Sequence, residues 1–168
     1  MTNILNKIGV FSPIRRHFDN KLQKIRDGIV NNISSGQLNF ILELVLNAMS
    51  ILFFISSEYR KNIKGFNGKI ALKTEDGGVH ATAVFRRGRI IPRQVLEVEK
   101  TALKDSNVTI LFKDSRSMAD FLLAENPDIL TGILENKLSF SGNMNYILRF
   151  VYLVRHIPVF LGIQNALN

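Results

Sequence analysis

Apolar positions recur along this chain with two different periods, and the changes between them divide it into segments. From Ile4 to Ile29 they return at helical spacing, with Lys7, Arg15, Arg16, Lys21, Lys24 and Arg26 between them. Ser12-Pro13 sets a helix start there, because proline suits the first helical position. The spacing predicts a basic amphipathic helical arm over residues 1–35. Its apolar face has two places to go: onto the body of the same protein or a dimer mate, or onto an anionic membrane. Asn31 to Gly36 reads as the linker, and residues 36–168 as the main domain. Leu38 to Tyr59 then reads as one long helix. Phe40, Ile41, Leu44, Val45 and Ala48 begin its stripe, while Leu42, Leu46, Met49 and Phe53 widen the apolar arc. A helix apolar over most of its girth needs contacts on two sides.

From Gly68 the period drops to two. Gly68 to Thr74 alternates, and Asp76-Gly77-Gly78 is a hairpin turn, since glycine supplies the positive φ such turns need. In the next strand Val79, Ala81, Ala83 and Phe85 share one face, and His80, Thr82 and Val84 share the other. Arg89 to Ile91 and Gln94 to Val98 form a third strand bent at Pro92, which cannot donate to a ladder. Asn107–Phe112 and Lys137–Ser141 are strands four and five. Between them a helix runs through Met118, Phe121 and Leu122 and restarts after Asn126-Pro127-Asp128. After Gly142 the helical period returns in Met144 to Val154, apolar around most of its girth. Two greasy helices on one small sheet are more apolar surface than the sheet needs. The surplus predicts a hydrophobic cavity or an oligomer interface.

Charge changes this picture in one respect. The chain has 22 basic and 14 acidic residues, net +8, and the basic excess is concentrated between Arg60 and Lys104. Such asymmetry favours an anionic partner. Arg86, Arg87, Arg89 and Arg93 form the densest cluster, suited to lipid headgroups on an anionic membrane surface. Nucleic acid is disfavoured: the chain has no Trp, and Phe85 is the one aromatic beside the cluster.

Composition removes most chemistry. With 0 Cys there are no disulfides, thiolate nucleophiles or cysteine-held metals, which fits a reducing compartment. His17, His80 and His156 lie in different elements with no metal-ligand spacing. No serine sits in a nucleophile elbow, no glycine-rich loop opens a helix, and the acids are dispersed. Nothing here predicts an enzyme, a metal or a cofactor. Phe40–Ile55 is the one candidate membrane span, but Glu43, Asn47 and Ser50 interrupt it, and a span needs about 20 apolar residues. The N-terminus lacks the order of a secretory signal. A cytoplasmic protein is expected, peripheral at the inner face of the membrane.

The order of elements carries a resemblance. Val108–Asp114, Met118-Ala-Asp-Phe-Leu122, Lys137-Leu-Ser-Phe-Ser-Gly142 and Asn143-Met144 resemble the sterol carrier protein type 2 family. Asn67-Gly-Lys-Ile-Ala-Leu72 and Ala81-Thr-Ala-Val-Phe-Arg-Arg-Gly88 fit its first two strands, so the likeness covers about residues 38–157. It implies an α+β fold: a five-stranded, mostly antiparallel sheet covered by helices that enclose a hydrophobic cavity for lipid. The basic arm is similar to that of bacterial ubiquinone-biosynthesis accessory proteins bearing this domain. The chain ends Ala166-Leu167-Asn168, not in a peroxisomal signal. What the resemblance implies is non-catalytic binding or transfer of a fatty acyl, phospholipid or prenyl-quinone-like lipid. Phe112, Met118, Phe121, Leu122, Phe140, Met144, Ile147, Leu148 and Val151 are the expected lining. The alternative is a scaffold module, dimeric or bound to a membrane-associated biosynthetic complex.

Overall fold

Alternation in the middle of the chain produces the sheet, and the computed structural model shows which strand each one pairs with. It describes residues 35–61, 65–88, 94–124 and 127–161. The strands are β1 (Gly68–Thr74), β2 (His80–Arg87), β3 (Gln94–Glu99), β4 (Val108–Phe112) and β5 (Leu138–Gly142). Their order in the sheet is β3-β2-β1-β4-β5. All neighbours are antiparallel except β1 and β4, which run parallel, so the sheet is mixed. The helices are α1 (Ser35–Ile55), α2 (Ser57–Lys61), α3 (Ser115–Leu123), α4 (Ile129–Leu134) and α5 (Met144–Leu161). Ile33–Ile157 forms one compact unit.

Side chains in a strand alternate between faces, and here one face gathers the large apolar residues, while the other mixes polar residues with Ala71, Val84, Val95 and Leu111. Ala81, Leu72, Ile110 and Phe140 stand opposite one another across four strands. Val98, Ala83, Ile70, Val108 and Gly142 make the next row. Phe85 and Leu96 extend this apolar face towards β3. The other face carries Lys69, Lys73, His80, Arg86, Glu97, Ser139 and Ser141. The connection from β3 to β4 crosses that polar face. The Thr82 hydroxyl donates to Thr101 O at 2.7 Å and accepts from Leu103 N at 3.0 Å, and Lys69 pairs with Asp105.

The helices cover the apolar face. α1 buries Leu38, Ile41, Leu42, Val45, Leu46, Met49, Leu52 and Phe53. Asn39 donates to Gly78 O at 3.1 Å and Ser50 to Leu96 O at 2.6 Å, fixing the helix along β2 and β3. Each fully buried Leu, Ile or Phe contributes about 1.5–3 kcal/mol. Asp114 and Asp128 cap α3 and α4, each side chain accepting from backbone N–H groups of the first turn. The second cap stands where Asn126-Pro127-Asp128 predicts a helix restart.

The sequence expectations need three corrections. The long helix ends at Ile55, and α2 restarts at Ser57, where the Ser56 hydroxyl accepts from Tyr59 N at 3.0 Å. Helix-period side chains continue across this break, so the pattern hides it. Gly36–Ile55 does have the length and composition of a membrane span. The length argument against spanning therefore fails; what weighs against it is the packing of half of that stretch inside the fold. The last helix runs past Val154 to Leu161, so His156 lies within it, its Nδ1 2.6 Å from Tyr152 O. The third strand is Gln94–Glu99; Arg89–Arg93 and the N-terminal arm lie outside the described residues.

Candidate functional site

Phe140 is where an apolar row of the sheet leaves the core. Along that row Ala81, Leu72 and Ile110 are 2%, 0% and 0% exposed, whereas Phe140 on the edge strand is half-buried. Just beyond it the chain turns at Gly142, whose φ is +109°. A Cβ there would lie 2.3 Å from Asn107 O, so the turn needs glycine on two counts. Asn143 N donates to Asn107 O at 3.2 Å, and the Asn143 side chain accepts from Asn145 N at 2.9 Å, which starts α5 at once.

α5 presents two apolar stripes. Ile147, Phe150, Leu153, Val154 and Ile157 are buried. Met144, Leu148 and Val151, spaced i, i+4 and i+7, form the neighbouring stripe, with Met144 and Val151 half-buried and Leu148 52% exposed. On the inner side the rings of Phe112 and Phe121 lie 5.5 Å apart, and Met118 and Leu122 are buried beside them in the sequence of α3. A second aromatic series runs from Tyr59 through Phe53, Phe85 and Phe66 to Tyr146, with the Arg149 guanidinium 5.0 Å from the Phe66 centroid. Tyr146 lies so close over β1 that a Cβ on Gly68 would meet its ring at 2.1 Å.

Polar groups are few and already engaged. Among the described residues the buried polar side chains are Thr74, Thr82 and Ser117. Thr74 belongs to the hairpin turn and Thr82 to the crossover. Tyr59 is buried, its hydroxyl donating to Leu153 O at 2.8 Å, and burial holds its ionisation well above the usual phenol range. Among the described residues no group of His, Asp and Glu gathers where it could hold a metal ion. Among the described residues the side chains gathered here offer apolar contact.

The expected lining residues fall into three positions. Phe112, Met118, Phe121, Leu122 and Ile147 are buried in the core; Phe140, Met144 and Val151 are half-buried. Leu148 is the exception. Next to Ile147 in sequence, it is about 100° further round the helix, which takes it outward. The basic cluster also separates. Arg86 is held by Glu97 through a two-pronged pair (Nε to Oε2 2.8 Å, Nη2 to Oε1 2.6 Å), so its charge is largely met, while Arg87 is exposed at the strand end. Arg89 and Arg93 lie outside the described residues. Sequence reading missed Leu130 and Leu134, which are 57% and 83% exposed on α4. Their i, i+4 spacing was visible, but a six-residue helix has too few turns for a stripe to stand out. Phe66 was missed because it sits in a loop, where no period marks it.

No protein-family profile matches this sequence, and no curated protein matches it. Solved structures do. Their likeness is one of fold. A ubiquinone synthesis protein, UbiJ-SCP2, is similar at 17% identity and a TM-score of 0.46, over 70% of this chain and 98% of that one. The sterol carrier protein domain 2 of Helicoverpa armigera matches at 13% identity and a TM-score of 0.46, over 70% of this chain and 87% of that one. A stereoselective inverting sec-alkylsulfatase from Pseudomonas sp. matches at 14% identity and a TM-score of 0.49, over 66% of this chain but 16% of the sulfatase.

Proposed function

We propose that this chain binds an apolar, chain-like ligand between the apolar sheet face and its helices, without catalysing a reaction on it. The observation that carries this reading is the row Ala81–Leu72–Ile110–Phe140, buried for three strands and half-buried at the fourth, on the sheet edge. A ligand lying along that row would meet the apolar side chains of Ala81, Leu72, Ile110 and Phe140. Each buried CH₂ contributes about 0.8 kcal/mol, so an acyl or prenyl tail would be held without any charged partner. The sequence resemblance to the sterol carrier protein type 2 family supports the same class: fatty acyl, phospholipid or prenyl-quinone-like lipid. Contact with an anionic membrane, at its inner face, would come from exposed bases such as Arg87, with Arg89 and Arg93 in the neighbouring sequence, and from the basic arm 1–35.

The reading is tested by titrating the full chain with a fluorescent fatty acid and with a fluorescent quinone analogue. Saturable binding that is weakened at least tenfold by Val151→Asp, in a variant that keeps its fold, is expected. No binding of either probe overturns it. A scaffold role is the second reading, favoured by Leu130 and Leu134, which a monomer would leave in water.

A further inference from the structure

Among the described residues the edge strand β5 has an open side. Its inner side is fixed by Lys113 N donating to Lys137 O at 2.9 Å and Asn143 N donating to Asn107 O at 3.2 Å, at the two ends of the β4–β5 ladder. In an antiparallel ladder hydrogen-bonded residues alternate. Ser139 and Ser141 therefore direct their N–H and C=O groups at β4, and Leu138, Phe140 and Gly142 direct theirs away from the sheet. Among the described residues no strand takes up those groups, and β5 closes the sheet order. Natural edges are usually protected by charge, proline or a bulge. Leu138-Ser-Phe-Ser-Gly142 contains neither a charge nor a proline and pairs with β4 in unbroken register. The opposite edge, β3, carries Glu97 and Glu99.

We infer that β5 pairs antiparallel with β5 of a second copy of this chain, about a two-fold axis at Phe140. The strand's own sequence selects that occupant. An axis at Phe140 sets Phe140 against the partner's Phe140 and Ser139 against the partner's Ser141, so that aromatic meets aromatic and hydroxyl meets hydroxyl. Leu138 falls opposite the partner's Gly142, large against small. Every outward backbone group then finds a partner, and no like charges meet. Cross-strand aromatic pairs stabilise such a ladder. The pairing joins two sheets into one and lays the partner's Phe140 ring beside the half-buried ring of the first, at the margin of the apolar row. Only this last consequence rests on the ligand reading; the pairing does not.

Native mass spectrometry and light scattering of the full chain test this directly. The wild type should be a dimer. Ser139→Lys with Ser141→Lys places lysines opposite lysines across the axis, and both positions are exposed, so the variant should melt as a folded monomer. The doubly glutamate-substituted chain should also be monomeric, and mixing the two should restore a heterodimer. A wild type that stays monomeric over its soluble range overturns the inference, as does a lysine variant that remains dimeric. Because the readout is mass, its failure leaves probe binding to be judged separately.

Discussion

The Tyr59 hydroxyl donates to the main-chain oxygen of Leu153 across 2.8 Å, joining α2 to α5 over 94 residues of sequence. Tyr59 also meets Phe53 edge-on at 5.6 Å, so one buried side chain ties the end of α1, α2 and the middle of α5 together. Removing the hydroxyl in Tyr59→Phe should cost about 1 kcal/mol, the net worth of a typical buried hydrogen bond. Urea denaturation measures it; an unchanged midpoint would show that this contact does not hold α5.

The same residue sets an alkaline limit. Burial pushes the phenol's pKa up in the folded state, disfavouring ionisation, whereas the unfolded phenol ionises near its ordinary value of about 10. The stabilisation is therefore complete below that value and is lost as pH rises towards the folded one. Stability of the wild type should fall above about pH 10, and less steeply in Tyr59→Phe. Identical alkaline profiles for the two proteins would rule out Tyr59 as the cause.

Asp114 behaves in the opposite sense. The Ser117 backbone N–H, bonded at 2.7 Å, holds its carboxyl below the usual carboxylate range. Its contribution is present above the unfolded value, about 3.9, and disappears as pH falls through the lower folded one. Asp114→Ala should cost about 1 kcal/mol at neutral pH, as loss of a helix cap does. The cost should shrink in acid. A constant difference across the acid range would mean that the charge is not what caps α3.

Two glycines should differ in their tolerance of alanine. Gly142→Ala adds a Cβ 2.3 Å from a backbone oxygen at a φ of +109°, and neither the backbone nor the angle can give way cheaply. Left-handed backbone alone costs an L-residue about 1–2 kcal/mol. Gly68→Ala meets the side chain of Tyr146, and Tyr146→Ala should rescue part of its loss. Thermal melts of the single and double variants decide; rescue of Gly142→Ala by Tyr146→Ala would contradict the geometry.

Much of this architecture was legible because the periods are clean. The alternation of Gly68–Thr74 and Val79–Phe85 about Asp76-Gly77-Gly78 specifies a hairpin and its buried face, and Asp128 announces its helix. Periodicity names a face but not a neighbour. The parallel pairing of β1 with β4, and the register that sets Glu97 within reach of Arg86, depend on contacts far apart in sequence. At the site, Phe140 was legible as apolar and Leu148 was assigned with it, since α5 is apolar over most of its girth and spacing alone does not orient such a helix. The break at Ser56 was masked by apolar and aromatic positions that continue on both sides.

Mass analysis of an organic extract of the purified full chain tests the central claim most directly. A lipid with an acyl or prenyl tail should copurify in stoichiometric amount and should be lost when Ile110→Asp puts a carboxylate in the buried row, provided that the variant is shown to fold. A folded wild type that yields no lipid, and takes up neither a fatty acid nor a quinone analogue when offered one, would contradict the account.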